Sequence, residues 1–445
     1  MWCGESMKVV SSYGVEIRTT GVDFKPTIRI YRDVLAFLIP VVHENWYAVS
    51  QIKGRQRQML FIEHLTHTTK SYTAKYDFDG RFYKFPSYLR RAAINDAIGC
   101  VSSYVSNHKN WVENGKNGKE PKLQADRFAM PTFYKDVMYK SNESEGTASL
   151  KVYLNNDWVW VTVKLLKTDI KYLQKYWQHC KPSAPTLEKR HRKYFLRFAF
   201  EENVKLSDTP VRQQRVCAVD LGLNSDAVCC IMDASGTVLA RKFINFPSEK
   251  DHLYHVLNRI KRYQREHGSK NVKSFWKYAQ RINDELAKKI ASAITEFAAL
   301  YSVDCIVFEH LDFRGKKVKG SKKQKLQMWR KNGIQDIVKH KAHRCGIRIS
   351  RICAWETSKL AYDGSGVAER DKDNYSICMF PNGKRYNCDL NATYNIGARY
   401  FIRELLKPLS ATARSDIWVK IPSCQRRTDN TLSTLCAINV ANKAL

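Results

Sequence analysis

The chain has 445 residues, 44% of them hydrophobic, with 75 Lys and Arg against 43 Asp and Glu and a formal charge of +32. That length suits about three domains, and the apolar share is enough to bury sizeable cores, so the composition is that of a folded, soluble, multidomain chain. Charge so far beyond what solubility needs calls for a polyanionic partner, and 23 Tyr and 10 Trp add stacking faces that favour nucleic acid over a membrane surface.

The longest apolar stretch near the start, 35–42, is too short to span a bilayer and holds Pro40, so neither a transmembrane segment nor a signal peptide is expected. The 13 cysteines are odd in number and scattered, and Cys217, Cys229 and Cys305 lie inside apolar runs where Cys acts as a small hydrophobe. A reducing, cytoplasmic setting follows.

Taken in order, residues 8–31 read as short strands (VVSSYGVEIRTTG, TIRIY). From Asp33 to about Asn114 the period turns helical, with Pro40 limiting the first helix and a turn at Gly80. Pro86 and Ser87 open a helix whose Leu89, Ala93, Ala97 and Val101 share a face. Tyr88, Arg90 and Arg91 at its start are either a solvated face or contacts to phosphate aided by the helix dipole.

Residues 114–147 read as loop. After them, 150–154 and 158–164 flank Asn155, Asn156 and Asp157 as a hairpin, and 185–188 with 194–200 make a further strand pair. A polar linker, 201–214, leads into 216–220, 227–232 and 238–246, a three-strand meander in the manner of RNase H-type nucleases.

Asp220 ends the first strand of that meander. Two helices, 249–266 and 273–300, precede a second apolar run, 303–308, which ends on Glu309. The second helix carries Ile282, Leu286, Ile290, Ile294 and Phe297 as a stripe for a sheet. Next comes 314–331, with nine Lys or Arg in eighteen positions: Arg314, Lys316, Lys317, Lys322, Lys323 and Arg330 are the expected nucleic-acid contacts among them. A helix (332–345), a strand (346–354) and an irregular insertion (355–388) lead to Asp389, which opens a helical stretch to Leu406. Beyond Pro408 the Ser, Thr and Arg-rich tail is expected to be poorly ordered.

One Asp after a strand is usually a turn or cap residue. Asp220, Glu309 and Asp389 are too far apart in sequence to be local. A fold that brings strand ends and a helix start together would cluster three carboxylates able to hold two Mg²⁺ for phosphodiester hydrolysis.

VDLGLN (219–224), VFEHLD (307–312), ETSKL (356–360) and CDLNATYNIGARY (388–400) resemble the RuvC motifs of the TnpB (OrfB-type) transposon proteins and the compact type V CRISPR effectors. PSYLRRAAI and the strand-helix-strand order before residue 205 are also similar to that family. The resemblance implies a multidomain, bilobed α+β protein with a split β-barrel wedge module (1–31 and 126–205) interrupted by a helical recognition module (32–125). An RNase H-like (RuvC) α/β nuclease domain follows (206–356 and 389–445), with a basic lid loop at 314–331 and a target-nucleic-acid-binding insertion at 357–388.

The implied activity is RNA-guided endonucleolytic cleavage of DNA beside a short flanking motif. Asp220, Glu309 and Asp389 would be catalytic and bind two Mg²⁺, with a guide RNA and double- and single-stranded target DNA as partners and a prokaryotic, nucleoid-associated location. Guided binding without cleavage, and strand transfer by a transposase, are the alternatives. The family usually has a zinc ribbon of two CxxC pairs before the last Asp; 357–389 holds only Cys378 and Cys388 and no His, so no zinc is expected there.

Overall fold

In the computed structural model, which describes residues 6–18, 21–124, 129–142, 145–190, 192–222, 225–268, 272–310 and 331–443, Val10–Glu202 form one unit. Asn203–Leu445, with Met1–Val9, form a second.

The first unit runs from the greater part of strand β1 (Ser6–Glu16) into helix α1 (Lys25–Glu44). The strand expected over 27–31 is the start of this helix, so the helical part begins at Lys25 and not at 32. Pro26 stands in the first turn, where its fixed φ suits a helix and its missing N–H is not needed. Ile28, Tyr31, Leu35, Leu38 and Val42 then continue one buried stripe, which outweighs the local β preference of TIRIY. Pro40 does not end α1 either. It sits on the exposed face near the last turn, where the carbonyl left without a donor can turn to water.

Short helices α2 (Trp46–Gln51), α3 (Arg55–Thr66) and α4 (Phe78–Arg81) precede α5 (Ser87–Glu113), which buries Leu89, Ala93, Ala97 and Val101 as its period predicts. These helices share a core with a sheet of β2 (Tyr139–Asn142), β3 (Thr147–Leu154) and β4 (Asp157–Lys164). Asn155 and Asn156 both take positive φ, 50° and 61°, so β3 and β4 are joined by the two-residue turn that suits a right-twisted hairpin.

Helix α6 (Lys167–Trp177), which the sequence reading passes over, leads to β5 (Thr186–Arg190) and β6 (Lys193–Lys205), paired in the order β1-β6-β5. The expected barrel is not closed among the described residues. Two three-stranded sheets meet instead through an isolated bridge, Ile17 with Leu165, and through the Leu166 N–H donating to the Glu16 carbonyl at 2.9 Å, while a bridge of Thr132 with Thr186 ties the segment before β2 to the start of β5.

The second unit is built on a five-stranded sheet. β7 (Arg215–Asp220), β8 (Ala227–Asp233) and β9 (Val238–Ile244) form the expected antiparallel meander. Helices α7 (Pro247–His267) and α8 (Lys273–Leu300) then carry the chain back to β10 (Cys305–His310), which lies parallel to β7. Helix α9 (Lys331–Arg344) leads to β11 (Arg348–Cys353), parallel to β10, giving the order β11-β10-β7-β8-β9.

Both faces of this sheet are covered, which is why its strands read as unbroken apolar runs. Cys217, Val219, Ile306 and Phe308 point to one core, with Leu286, Ile290 and Ile294 of α8. Val216, Ala218, Cys305 and Val307 point to the other, under helix α10 (Cys388–Leu406). Gly397 of α10 lets the helix lie against the sheet: a Cβ there would come within 3.0 Å of the Met232 sulfur.

The stretch before α10 is not irregular. Strands β12 (Glu369–Arg370), β13 (Ile377–Met379) and β14 (Arg385–Asn387) form a small antiparallel sheet over a core of Ala361, Ala368, Cys378, Phe380 and Cys388. Burial first, and Cys388 second, push the Cys378 thiol up to about 12, so the two cysteines pack as apolar groups.

The tail is also ordered. α11 (Ala411–Lys420) and α12 (Leu432–Lys443) bury Ile417, Leu435 and Ile438 in the core under α10, a contribution hidden by the polar residues around them. Every cysteine among the described residues is free, and no helix among them is long and apolar enough to cross a membrane.

Candidate active site

Strand alternation decides where the three carboxylates go. Asp220 follows Val216 and Ala218 on the face toward α10, and Glu309 follows Cys305 and Val307 on the same face. The parallel register pairs Val219 with Phe308, so Asp220 and Glu309 stand side by side where the two strands end. Asp389 enters from the first turn of α10. There the Asn387 side chain accepts from the N–H groups of Asp389 and Leu390, both at 3.0 Å, and fixes the start of the helix.

These groups feel one another. Withdrawal from water, then Glu309 and Asp389, push the Asp220 carboxyl well above its ordinary range, with Arg370 opposing. Asp389 is raised by burial, against the pull of Arg370 and a hydrogen bond with Ser225. Glu309 is buried, and the Thr357 hydroxyl donates to its Oε1. Clustered carboxylates that disfavour one another's charge are a donor set suited to hard divalent cations.

What fixes this geometry was not singled out from the sequence. Asn391, Asn395 and Arg399 fall at successive four-residue steps on α10 and are all buried. Asn391 donates to the Leu360 carbonyl at 2.8 Å and accepts from the Tyr362 N–H at 2.8 Å, and Asn395 donates to the Thr357 and Leu360 carbonyls at 3.0 and 2.8 Å. Arg399 reaches the Cys353 and Trp355 carbonyls at 2.9 and 2.7 Å. This column ties 353–362 to the helix and so holds Thr357 on Glu309. Polar residues at i, i+4 and i+8 on an otherwise apolar face were the available signal.

Asp226 and Asp233, near the same strands, do structural work. The Asp226 carboxylate accepts from the Phe246 N–H at 2.7 Å and pairs with Lys250 at 3.3 Å, while Asp233 caps the turn at Ser235 and Thr237. Asp226→Ala should therefore cost about 1 to 3 kcal/mol of stability by stranding a backbone donor, measured by denaturant unfolding, without touching the carboxylate cluster.

The expected nucleic-acid residues divide. Arg90 is 5% exposed, and its guanidinium contacts Glu63 at 3.0 Å and Asp79 at 3.5 Å. Enclosed in this way, Arg90 is better suited to compensating Glu63 and Asp79 than to contacting phosphate at the surface. Arg91 pairs with Glu63 at 3.0 Å yet is 38% exposed and lies over the ring of Tyr88, itself exposed. Arg314, Lys316, Lys317, Lys322, Lys323 and Arg330 lie outside the described residues.

A family model described as the Aq_aa04 family matches residues 11–154. An uncharacterised Aquifex aeolicus protein, aq_aa04, is 40% identical over 72 residues; the match covers 14% of this chain and 41% of that protein, so it spans less than half of the relative's length. The TnpB-like protein aq_aa05 of the same organism is 25% identical over 234 residues, covering 47% of this chain and 74% of that protein. The chain is thus similar over about half its length to a TnpB-like protein.

Solved structures similar to this chain include CasPhi-2 (Cas12j) bound to crRNA, at 8% identity and a TM-score of 0.46, covering 88% of this chain and 97% of that one. Another is a Cas12f1–sgRNA–target DNA complex, at 14% identity and a TM-score of 0.33, covering 87% and 98%.

Proposed function

We infer that this chain is an RNA-guided DNA endonuclease with one active site, in which Asp220, Glu309 and Asp389 are catalytic. The observation that carries the reading is the meeting of these carboxylates at one sheet end, each with a raised or enclosed environment and with Arg370 as the cation in range. An antiparallel meander extended by two parallel strands beside its first strand is also what an RNase H-like (RuvC) sheet requires.

The three carboxylates would hold Mg²⁺, which when bound activates water and neutralises charge on a phosphodiester. The chain's own part is positioning. Thr357 fixes the Glu309 carboxylate, the Asn387 cap aims Asp389, and the Asn391–Asn395–Arg399 column keeps the loop that carries Thr357 in place. On this reading the first unit serves as wedge and recognition module for the guide and the DNA flank, and β12–β14 handle the target strand near the site.

The test is purification from cells that express the native locus. A discrete RNA should co-purify, and affinity for it should fall by about a thousandfold or more between 50 and 200 mM salt if six or more phosphates are contacted. The loaded protein should cut DNA that matches the RNA, and only with Mg²⁺. Absence of a discrete RNA sinks the guided reading; RNA-directed binding with no cutting moves the function to silencing.

A further inference from the structure

A second cluster of metal-binding side chains lies far in sequence from the carboxylates, in the first unit. His179 and Cys180 follow the C-terminal end of α6, and Glu202 stands near the end of β6. Their ligand atoms, the imidazole nitrogen, the Cys180 sulfur and a carboxylate oxygen, all lie within 4.8 Å of one another. The backbone holds them together: Pro182 bridges Phe200, and the Ser183 N–H donates to the Ala199 carbonyl at 2.8 Å. Trp177, buried, stacks on Phe200 at 4.7 Å and fixes where the helix ends.

We propose that His179, Cys180 and Glu202 bind one Zn²⁺, with water in the fourth position, and that the ion clasps the end of α6 to β6. An ordinary His–Glu ion pair is the simpler alternative, and the sulfur beside it separates the two. His179 Nε2 and Glu202 Oε1 stand 3.4 Å apart, a separation that both readings allow. Bonds of about 2.0 to 2.3 Å at a tetrahedral angle put neighbouring ligand atoms roughly 3.3 to 3.8 Å apart, which includes that separation. The third partner matters too. A sulfur beside imidazole and carboxylate is a borderline-soft set that suits zinc and poorly suits magnesium or calcium.

The fold gives the ion something to do. Toward the C-terminal end of α6 Trp177 is buried and Leu173 is packed partly buried on the same core, while the first turns are tied through Asp169 to Tyr13 and to the Glu16 N–H, so the ion would add a tie at the end that lacks one of that kind. His179 is exposed, which leaves entry from solvent open; the Glu202 side chain, 17% exposed, is already shielded.

The experiment uses the full chain, freed of metal and then given one equivalent of Zn²⁺ or Co²⁺ and desalted. About one zinc per chain should remain, its binding should raise the melting temperature by several degrees, and the cobalt form should show a thiolate-to-metal charge-transfer band in the near ultraviolet. Cys180→Ser should lose the band, and both Cys180→Ser and Glu202→Gln should weaken zinc at least tenfold. Cys378→Ser with Cys388→Ser should leave it unchanged. Circular dichroism of each metal-free variant, matched to that of the metal-free parent, keeps misfolding apart from lost ligands. No retained metal, zinc that survives Cys180→Ser in a folded protein, or zinc that departs with Cys378 and Cys388 would each overturn the proposal. None of these outcomes bears on cutting by the carboxylate cluster, so the two sites are tested separately.

Discussion

Asp220→Ala, Glu309→Ala and Asp389→Ala should each remove Mg²⁺-dependent cutting of guide-matched DNA, by at least about a thousandfold, or roughly 4 kcal/mol of barrier. On the proposed function each residue would contribute oxygen ligands to one site, and the two that remain could not hold two ions for an in-line displacement. Binding to matched DNA should persist, because Lys and Arg contacts to phosphate and base pairing with a guide do not depend on those ions. A gel assay with binding measured in parallel decides it: substantial cutting by any one of the three variants means the site is elsewhere.

A stability measurement on the same protein has an opposite sign and a separate cause. The folded-state pKa of Asp220 lies above its unfolded value, so the folded state holds that proton more tightly. Its cost to stability is absent below the ordinary carboxyl range and grows as pH rises through and above it. Asp220→Asn, which keeps the shape and removes the charge, should therefore melt higher than the parent at pH 7 without Mg²⁺, while cutting nothing. A variant that melts lower would mean the carboxylate is held by partners and not opposed by neighbours.

The sheet, and the strand ends that carry Asp220 and Glu309, were readable because their signals are local and strong. Val216–Asp220 and Val303–Phe308 are apolar runs capped by a carboxylate, and Asn155–Asn156 marks a turn that needs two positive φ values. Where a longer-range term outweighed the local one, the sequence misled. TIRIY is β-branched yet continues the buried stripe of α1, and the polar tail beyond Pro408 conceals Ile417, Leu435 and Ile438, whose core partners lie on α10. The Asn391–Asn395–Arg399 column was harder still. Its partners are backbone groups of 353–362 and 428–432, and a backbone group leaves no mark in a sequence.

Arg90→Ala should cost the first unit about 3 kcal/mol or more, a loss of stability and not of nucleic-acid contact. Glu63 is buried, with a side chain 9% exposed, and it is Arg90 and Arg91 that keep its charge compensated. Truncating Arg90 leaves a buried carboxylate with half its partners, and also opens space beside Phe78, over whose ring the guanidinium lies. Breaking one side of an enclosed ion pair costs far more than the pair contributes, so replacing both charges by apolar groups, Arg90→Met with Glu63→Leu, should recover much of the loss. Arg91→Ala tests the surface role, because Arg91 shares the carboxylate yet remains accessible beside Tyr88. Urea unfolding of the four proteins, with DNA and RNA binding measured where each is folded, separates these effects. If Arg90→Ala unfolds at the parental midpoint and binds DNA weakly, the guanidinium leaves its pocket to reach phosphate, and the structural role assigned to it is wrong.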